Sequence, residues 1–360
     1  MRCFIKTSCA LSRGVRNDRR MAVFKRHRPP DSHVRHGKRR GQDIFGFRQV
    51  SAIFASDGFV RSRTFHGIPV VSYTDVLKKY GGDFIIVLAF GSDRQEVVER
   101  FYQLDGRHEL YAPDVPVAGE ELFDADFFEK NREKIEAARE LFSDSESLAV
   151  YDDVINYRLT GKIGYLKKHG TGTAEIMTDI LKPEGYRTAL DLGAYTGDTA
   201  RELIAFAPSL ETVIALEPDP RNFAKLAVSS ELTGKIEPHL AAAWNRRDVL
   251  TFTKGGGRGI HRTGGGKTVE IAAAPADSFL CGRIPDYIKI DVEGAENEAI
   301  DGCRGAMSHS PDLKIAVYHR SRDIFDIPMK IHGINPDYRM FLRKAPSVPG
   351  WDVDLVCTVR

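Results

Sequence analysis

The sequence predicts an α/β chain organised on a doubly wound, mostly parallel sheet, and two stretches carry that prediction. Residues 188–199, TALDLGAYTGDT, read as a short apolar strand that delivers Asp191, a turn with Gly193 and Gly197, and a helix beginning near Asp198. Glycine lets such a turn take unusual backbone angles and lets a ligand approach closely, while the helix N-terminus behind it offers unpaired N–H groups. Residues 287–298, YIKIDVEGAENE, give a second β-branched strand with charges at Lys289, Asp291 and Glu293, then Gly294 and another helix. In a sheet buried on both faces, charges at alternate strand positions are costly unless they stand at the carboxyl end, where α/β sheets bind ligands.

The elements between these stretches follow the same rhythm. A strand over residues 212–216 ends in Glu217, about twenty residues past Gly197, where a carboxylate can accept hydrogen bonds from ribose hydroxyls. A helix over residues 219–231 and a third strand over 239–244 come next. In that strand Ala242 and Ala243 either leave room for a flat ring beside Trp244 or simply pack the sheet. The apparent fifth strand, LKIAVYHR, ends in His319. Asp191, Gly193 and Gly197 follow a DxGxxxG spacing, which does not meet the GxGxxG dinucleotide fingerprint.

That spacing resembles motif I of class I AdoMet-dependent methyltransferases. The stretch KIDVEGAE resembles the hallmark of the FkbM-type family within that class, and further matching pieces follow it in order: LEPDPRNF (216–223), AAAW (241–244), PADSF (275–279), VYHR (317–320) and DIFDIP (323–328). The resemblance covers roughly the C-terminal half of the chain. It implies a class I methyltransferase fold, with a Rossmann-like, mostly parallel seven-stranded sheet, and S-adenosyl-L-methionine as cofactor. Asp191 and the turn with Gly193, Tyr195 and Gly197 would hold the amino-acid part of the cofactor, and Glu217 its ribose. Asp219, Ala243 and Asp291 complete the expected cofactor-binding set. The implied activity is O-methylation of a hydroxyl on a sugar, glycan or secondary metabolite.

Such a transfer needs positioning and a way to remove the hydroxyl proton, and histidine suits that task near neutral pH. Asp291 and His319 are the expected catalytic residues, with Asp291 open to the roles of base, metal ligand or cofactor-orienting group and His319 open to a structural one. Lys289 and Glu293 fit ion-pair support, and Glu296 fits the first turn of a helix. No set of residues makes a convincing metal site, so none is expected.

The rest of the chain divides by composition. Residues 1–40 hold 13 Lys and Arg against 2 Asp and Glu, whereas the remainder is mildly acidic. The first 45 residues therefore read as a basic extension, to be explained as a nucleic-acid-binding arm, a transit peptide or, as favoured here, a misassigned start. Residues 46–118 read as a partial Rossmann-like domain: strands over 50–57 and 84–90, helices over 75–80 and 94–104, and FHGIPVVS (65–72), which resembles a nucleotide-binding accessory domain often attached to FkbM-type enzymes. Such a domain should open with a strand and a Gly-rich turn, and the basic tract stands in their place. Asp57 is its candidate ribose ligand. Residues 119–172 form a helical bridge and 173–360 the methyltransferase domain.

The tract KGGGRGIHRTGGGK (254–267) is not a P-loop, since His261 stands where the first glycine is required. It reads as a hairpin tip, either a solvated basic turn or a lid. No apolar run reaches the roughly 20 residues of a membrane span. Five cysteines without a CxxC pair indicate neither a disulfide framework nor zinc, and a cytoplasmic protein is expected. Two other functions compete. A nucleic-acid methyltransferase draws on the basic N-terminus but lacks an NPPY-like motif, and nucleic acid is not the expected partner; a decayed nucleotide-binding scaffold is opposed by Asp191, Glu217, Asp291 and His319. A small molecule or glycan is the expected substrate.

Overall fold

A computed structural model of the chain describes residues 20–25, 50–55, 64–65, 68–254, 260–261 and 268–360. Asp57 and most of the 254–267 tip lie outside the described residues.

In the N-terminal half the strands are β1 (Arg20–Lys25), β2 (Ala52–Ala55), β3 (Thr64–Phe65), β4 (Ile68–Ser72), β5 (Phe84–Leu88) and β6 (Glu109–Tyr111). They form a six-stranded sheet ordered β3-β4-β2-β1-β5-β6. This corrects the reading of residues 1–45 as an extension outside the fold, because β1 fills the slot between β2 and β5. The signal is short: Met-Ala-Val-Phe, four apolar residues between basic ones. It suffices because both neighbours, AIFA and FIIVL, are buried strands that supply a ladder on each side. β1 runs antiparallel to both, whereas β2 pairs with β4 and β5 with β6 in parallel. An opening Rossmann strand runs parallel to its neighbours, so its carboxyl end can carry the phosphate-binding turn. Here that end faces the opposite edge.

The turn after β5 is also occupied. Ser92 exchanges backbone hydrogen bonds with Val348 (2.8 and 3.0 Å), and a Cβ on Gly91 would stand 2.5 Å from the Trp351 ring and 2.6 Å from Pro349. The carboxyl edge of this sheet is therefore docked on a loop of the C-terminal half.

Two helices follow, Ala125–Arg139 and Ser145–Thr160, each opened by an aspartate that accepts a backbone N–H: Asp124 from Phe127 and Asp144 from Ser147. They do more than bridge. Ser143 Oγ accepts from Met340 N and Ser147 Oγ from Leu342 N, which ties them to the edge of the second sheet. One apolar core runs through Phe54 and Ile86, through Tyr151 and Tyr157 of the second helix, and on to Leu190, Ile290 and Leu355.

The C-terminal sheet has seven strands, ordered β16-β17-β15-β14-β7-β8-β9. These are β7 (Thr188–Leu192), β8 (Thr212–Leu216), β9 (Ile236–His239), β14 (Tyr287–Ile290), β15 (Asp312–Ala316), β16 (Arg339–Lys344) and β17 (Val353–Thr358). Pairing is parallel except at β17, which runs against β15 and β16. β7 and β14 are buried along their whole length, as expected for central strands covered on both faces. The third strand ends at His239, earlier than its pattern suggested. Ala242 and Ala243 form β10 (Ala242–Ala243), which leaves for a small sheet with β11 (Asp248–Lys254), β12 (Ile260–His261) and β13 (Thr268–Ala274). Among the described residues no helix is long and apolar enough to cross a membrane.

Candidate active site

The glycine turn leaves the carboxyl end of β7 and is fixed from β8: Gly193 N and Ala194 N both donate to Leu216 O at 3.0 Å. Gly193, Tyr195 and Gly197 have φ of 80°, 49° and 77°, the left-handed region where only glycine is at ease. Gly193 is required for a second reason. A Cβ there would meet Asp291 O at 1.8 Å, so the turn can touch the end of β14 only without a side chain. Gly197 opens the helix Asp198–Phe206, whose N-terminus receives no side-chain cap.

Asp191 is buried beneath the turn. Its Oδ2 accepts from Thr199 Oγ1 at 2.6 Å, and its Oδ1, which no hydrogen bond reaches, lies 3.2 Å from Lys289 Nζ. Lys289 also donates to Gly193 O (2.8 Å) and lies 3.9 Å from Asp291. Burial alone would push its ammonium down, but the Asp191 and Asp291 carboxylates outweigh it and hold the pKa above the ordinary lysine value. Lys289 thus joins the two loops as the ion-pair partner anticipated.

Glu217, at the end of β8, accepts Tyr195 N on one oxygen and Asp219 N on the other, both at 2.8 Å. Burial pushes its carboxyl up to about 7, a rise that these backbone hydrogen bonds moderate. Oε1 also receives Asn222 Nδ2 at 3.5 Å, so Oε2 is the oxygen that keeps a lone pair for a further donor. Asp219 is buried and spends its carboxylate on capping the helix Pro220–Thr233 and on Arg221 at 2.9 Å; it reaches the turn only through the N–H it gives Glu217. Ala243 lies in β10, buried in the main core.

Asp291 follows β14 with its side chain 40% exposed, and His319 follows β15 almost wholly buried. His319 Nε2 is 3.5 Å from Asp291 Oδ1, and Nδ1 is 2.8 Å from Glu296 Oε1. That Glu296 oxygen also accepts Val292 N (3.0 Å) and Gly294 N (3.2 Å). Burial would lower the imidazole pKa, but the Glu296 carboxylate, then Asp291 and Glu293, push it up to about 10. Asp323 also faces this ring electrostatically. The raised pKa favours the imidazolium over the free base that a proton acceptor needs, and the two ring nitrogens face Glu296 and Asp291.

Asp191, the glycine turn, Glu217, Asp291 and His319 thus form one connected chain of contacts, with Ala243 outside it. Glu296 opens the helix Glu296–Asp301, as its pattern suggested, but its contact with His319 is what sequence reasoning missed. EGAE offers two glutamates three apart, and local pattern favours neither; Glu293 is exposed with φ 55°, Glu296 fully buried. Asp291, Glu296 and His319 offer possible metal-ligand atoms within 4.8 Å of one another. The two carboxylates, however, sit on opposite edges of the ring, one at each nitrogen, which is the geometry of an ion-paired triad.

The sheet order with its one reversed strand, and a glycine turn and acid at the ends of β7 and β8, define a class I methyltransferase fold. Residues 191–338 match the family described as the methyltransferase FkbM domain. That match and the fold support a methyltransferase domain over this part of the chain. Among solved structures, methyltransferase FkbM from Methylobacillus flagellatus is similar at 22% identity and TM-score 0.65, covering 82% of this chain and 80% of its own. Fibrillarin from Aeropyrum pernix, in complex with S-adenosyl-L-methionine, aligns at 14% identity and TM-score 0.35 over 52% of this chain and 72% of its own. Precorrin-6y C5,15-methyltransferase from Geobacter metallireducens aligns at 14% and 0.32, over 53% and 90%. No curated protein matches the chain significantly.

Proposed function

We propose that this chain is an S-adenosyl-L-methionine-dependent O-methyltransferase acting on a hydroxyl of a small molecule or glycan. The observation that carries the reading is the continuity from Glu217 through the glycine turn and Lys289 to Asp291, which joins a ribose-type acid to a half-exposed carboxylate. The residues fit the cofactor. Glu217 keeps acceptor capacity on Oε2 for a ribose hydroxyl, and the uncapped helix N-terminus at Gly197 and the buried Asp191 suit a group bearing both carboxylate and ammonium charge. When bound, the cofactor supplies an electrophilic sulfonium methyl.

Asp291, the more exposed of the two candidate catalytic groups, takes the proton that the acceptor hydroxyl loses. His319 holds it from behind as a fixed cation and is a positioning residue in this scheme. Asp219 contributes through its backbone N–H to Glu217. A base so placed contributes about 10² to 10⁴ in rate, so Asp291→Asn should lower transfer of labelled methyl by that order with AdoMet affinity changed far less. Calorimetry with AdoMet, NAD and a nucleotide sugar tests the cofactor. AdoMet should bind, more weakly at pH 6 than at pH 8 as Glu217 takes up a proton near 7, and Glu217→Ala should lose about 1.5 to 3 kcal/mol per hydrogen bond. Binding of NAD in preference to AdoMet, or undiminished affinity in a folded Glu217→Ala, would overturn the assignment.

A further inference from the structure

The loop that carries His319 is held from outside the matched methyltransferase domain. Residues 112–124, between β6 and the helix Ala125–Arg139, lie against the carboxyl ends of β14 and β15. Ala118 N donates to His319 O at 2.9 Å. Gly294 (φ 98°) accommodates this approach, since a Cβ there would stand 2.2 Å from Ala118 Cβ. Two residues on, Ser321 Oγ donates to Glu121 O at 2.7 Å, and Arg322 Nε lies 3.0 Å from Glu121 Oε2.

Beneath the strap sits Arg158, from the helix Ser145–Thr160. Its side chain is 1% exposed, with Nη1 donating to Ser321 O at 3.2 Å and Nε 3.7 Å from Asp114. Its guanidinium also lies 5.5 Å from the Phe123 ring centre. Asp114 and Phe123 belong to the strap, so one buried cation touches both ends of it and the His319 loop. A structural ion pair is the plain alternative. Burying a guanidinium is expensive, however, and an apolar side chain of similar volume is often as good for stability. This pair is also loose, with no hydrogen bond to Nε. What Arg158 adds over an apolar residue is a fixed donor on a carbonyl two residues from His319.

We propose that Arg158 is a positioning residue for methyl transfer: with the strap, residues 112–124, it fixes the backbone of residues 319–322 and so sets His319 between Glu296 and Asp291. The N-terminal half is then part of the catalytic unit. The proposal rests on the reading of Asp291 and His319 given above.

Nitrogen-15 histidine spectra of the full chain test it without knowledge of the acceptor. In the wild type, His319 should show both ring nitrogens protonated and unchanged from pH 6 to 8. Arg158→Met should bring its titration down by about one unit or more, and Arg158→Lys should restore it in part. Direction separates the causes, because removing a nearby positive charge alone would raise the pKa; a fall reports lost geometry. Should Arg158→Met not fold, Ser321→Ala, which removes only the hydroxyl bond to Glu121, is read the same way. A wild-type His319 titration in folded Arg158→Met, or in Ser321→Ala where that is the variant read, overturns the proposal. AdoMet calorimetry on the same samples keeps the two readings apart: absent binding in the wild type sinks the cofactor assignment, while the His319 titration still decides the role of Arg158.

Discussion

Replacing Glu296 with glutamine isolates the interaction on which the site's electrostatics turn. Glu296 is fully buried and meets His319 at 2.8 Å while accepting two backbone N–H groups. Glutamine keeps an acceptor for the backbone and removes the charge. His319 must then lose its proton or stay charged with Asp291 at 3.5 Å and the more distant Glu293 and Asp323 beside it. Removing one partner of a buried pair costs about 3 to 5 kcal/mol. The raised pKa points the same way: about 10 against an ordinary 6.5 corresponds to about 5 kcal/mol of preference for the imidazolium in the folded protein. Because the folded value is raised, this stabilisation is fully present below pH 6.5 and is lost as pH rises through about 10. Urea unfolding at pH 6.5, 8 and 9.5 should show the wild type weakening across that window. Glu296→Gln should be less stable at pH 6.5, with little of the slope left, and its His319 should titrate near or below neutrality. Wild-type stability together with a wild-type pH slope in the variant would refute the ion-paired triad.

Gly193→Ala forces a left-handed Cβ into the backbone of Asp291 at 1.8 Å. Strain of about 1 to 2 kcal/mol and overpacking of about 1 to 3 should lower stability in urea and weaken AdoMet binding together; a variant matching the wild type in both would show that the turn and β14 are not in contact. Removing residues 1–26, which include β1, should unfold the N-terminal half by leaving β2 and β5 without their shared neighbour. Thermal melts read by circular dichroism check this, and an unchanged melting profile would return the tract to the status of an extension.

The methyltransferase half was legible in the sequence because its signals are local. A turn that needs positive φ shows its glycines at Gly193 and Gly197, and the carboxyl end of a central strand shows charges where a core would forbid them, as at Lys289 and Asp291. Tertiary structure alone decided what depends on distant partners. His319 looked like a base because histidine titrates near neutral pH; two carboxylates brought to its two nitrogens, one of them 23 residues away in the chain, raise its pKa and favour the cation. Of two glutamates in one short motif, only packing could choose Glu296. The strand at Arg20–Lys25 needed neighbours more than 25 residues further on to outweigh its basic surroundings, and Arg158 meets Ser321 across 163 residues. Local conformational preference is written in local sequence, whereas the charge state of a buried group is set by whatever the fold places beside it.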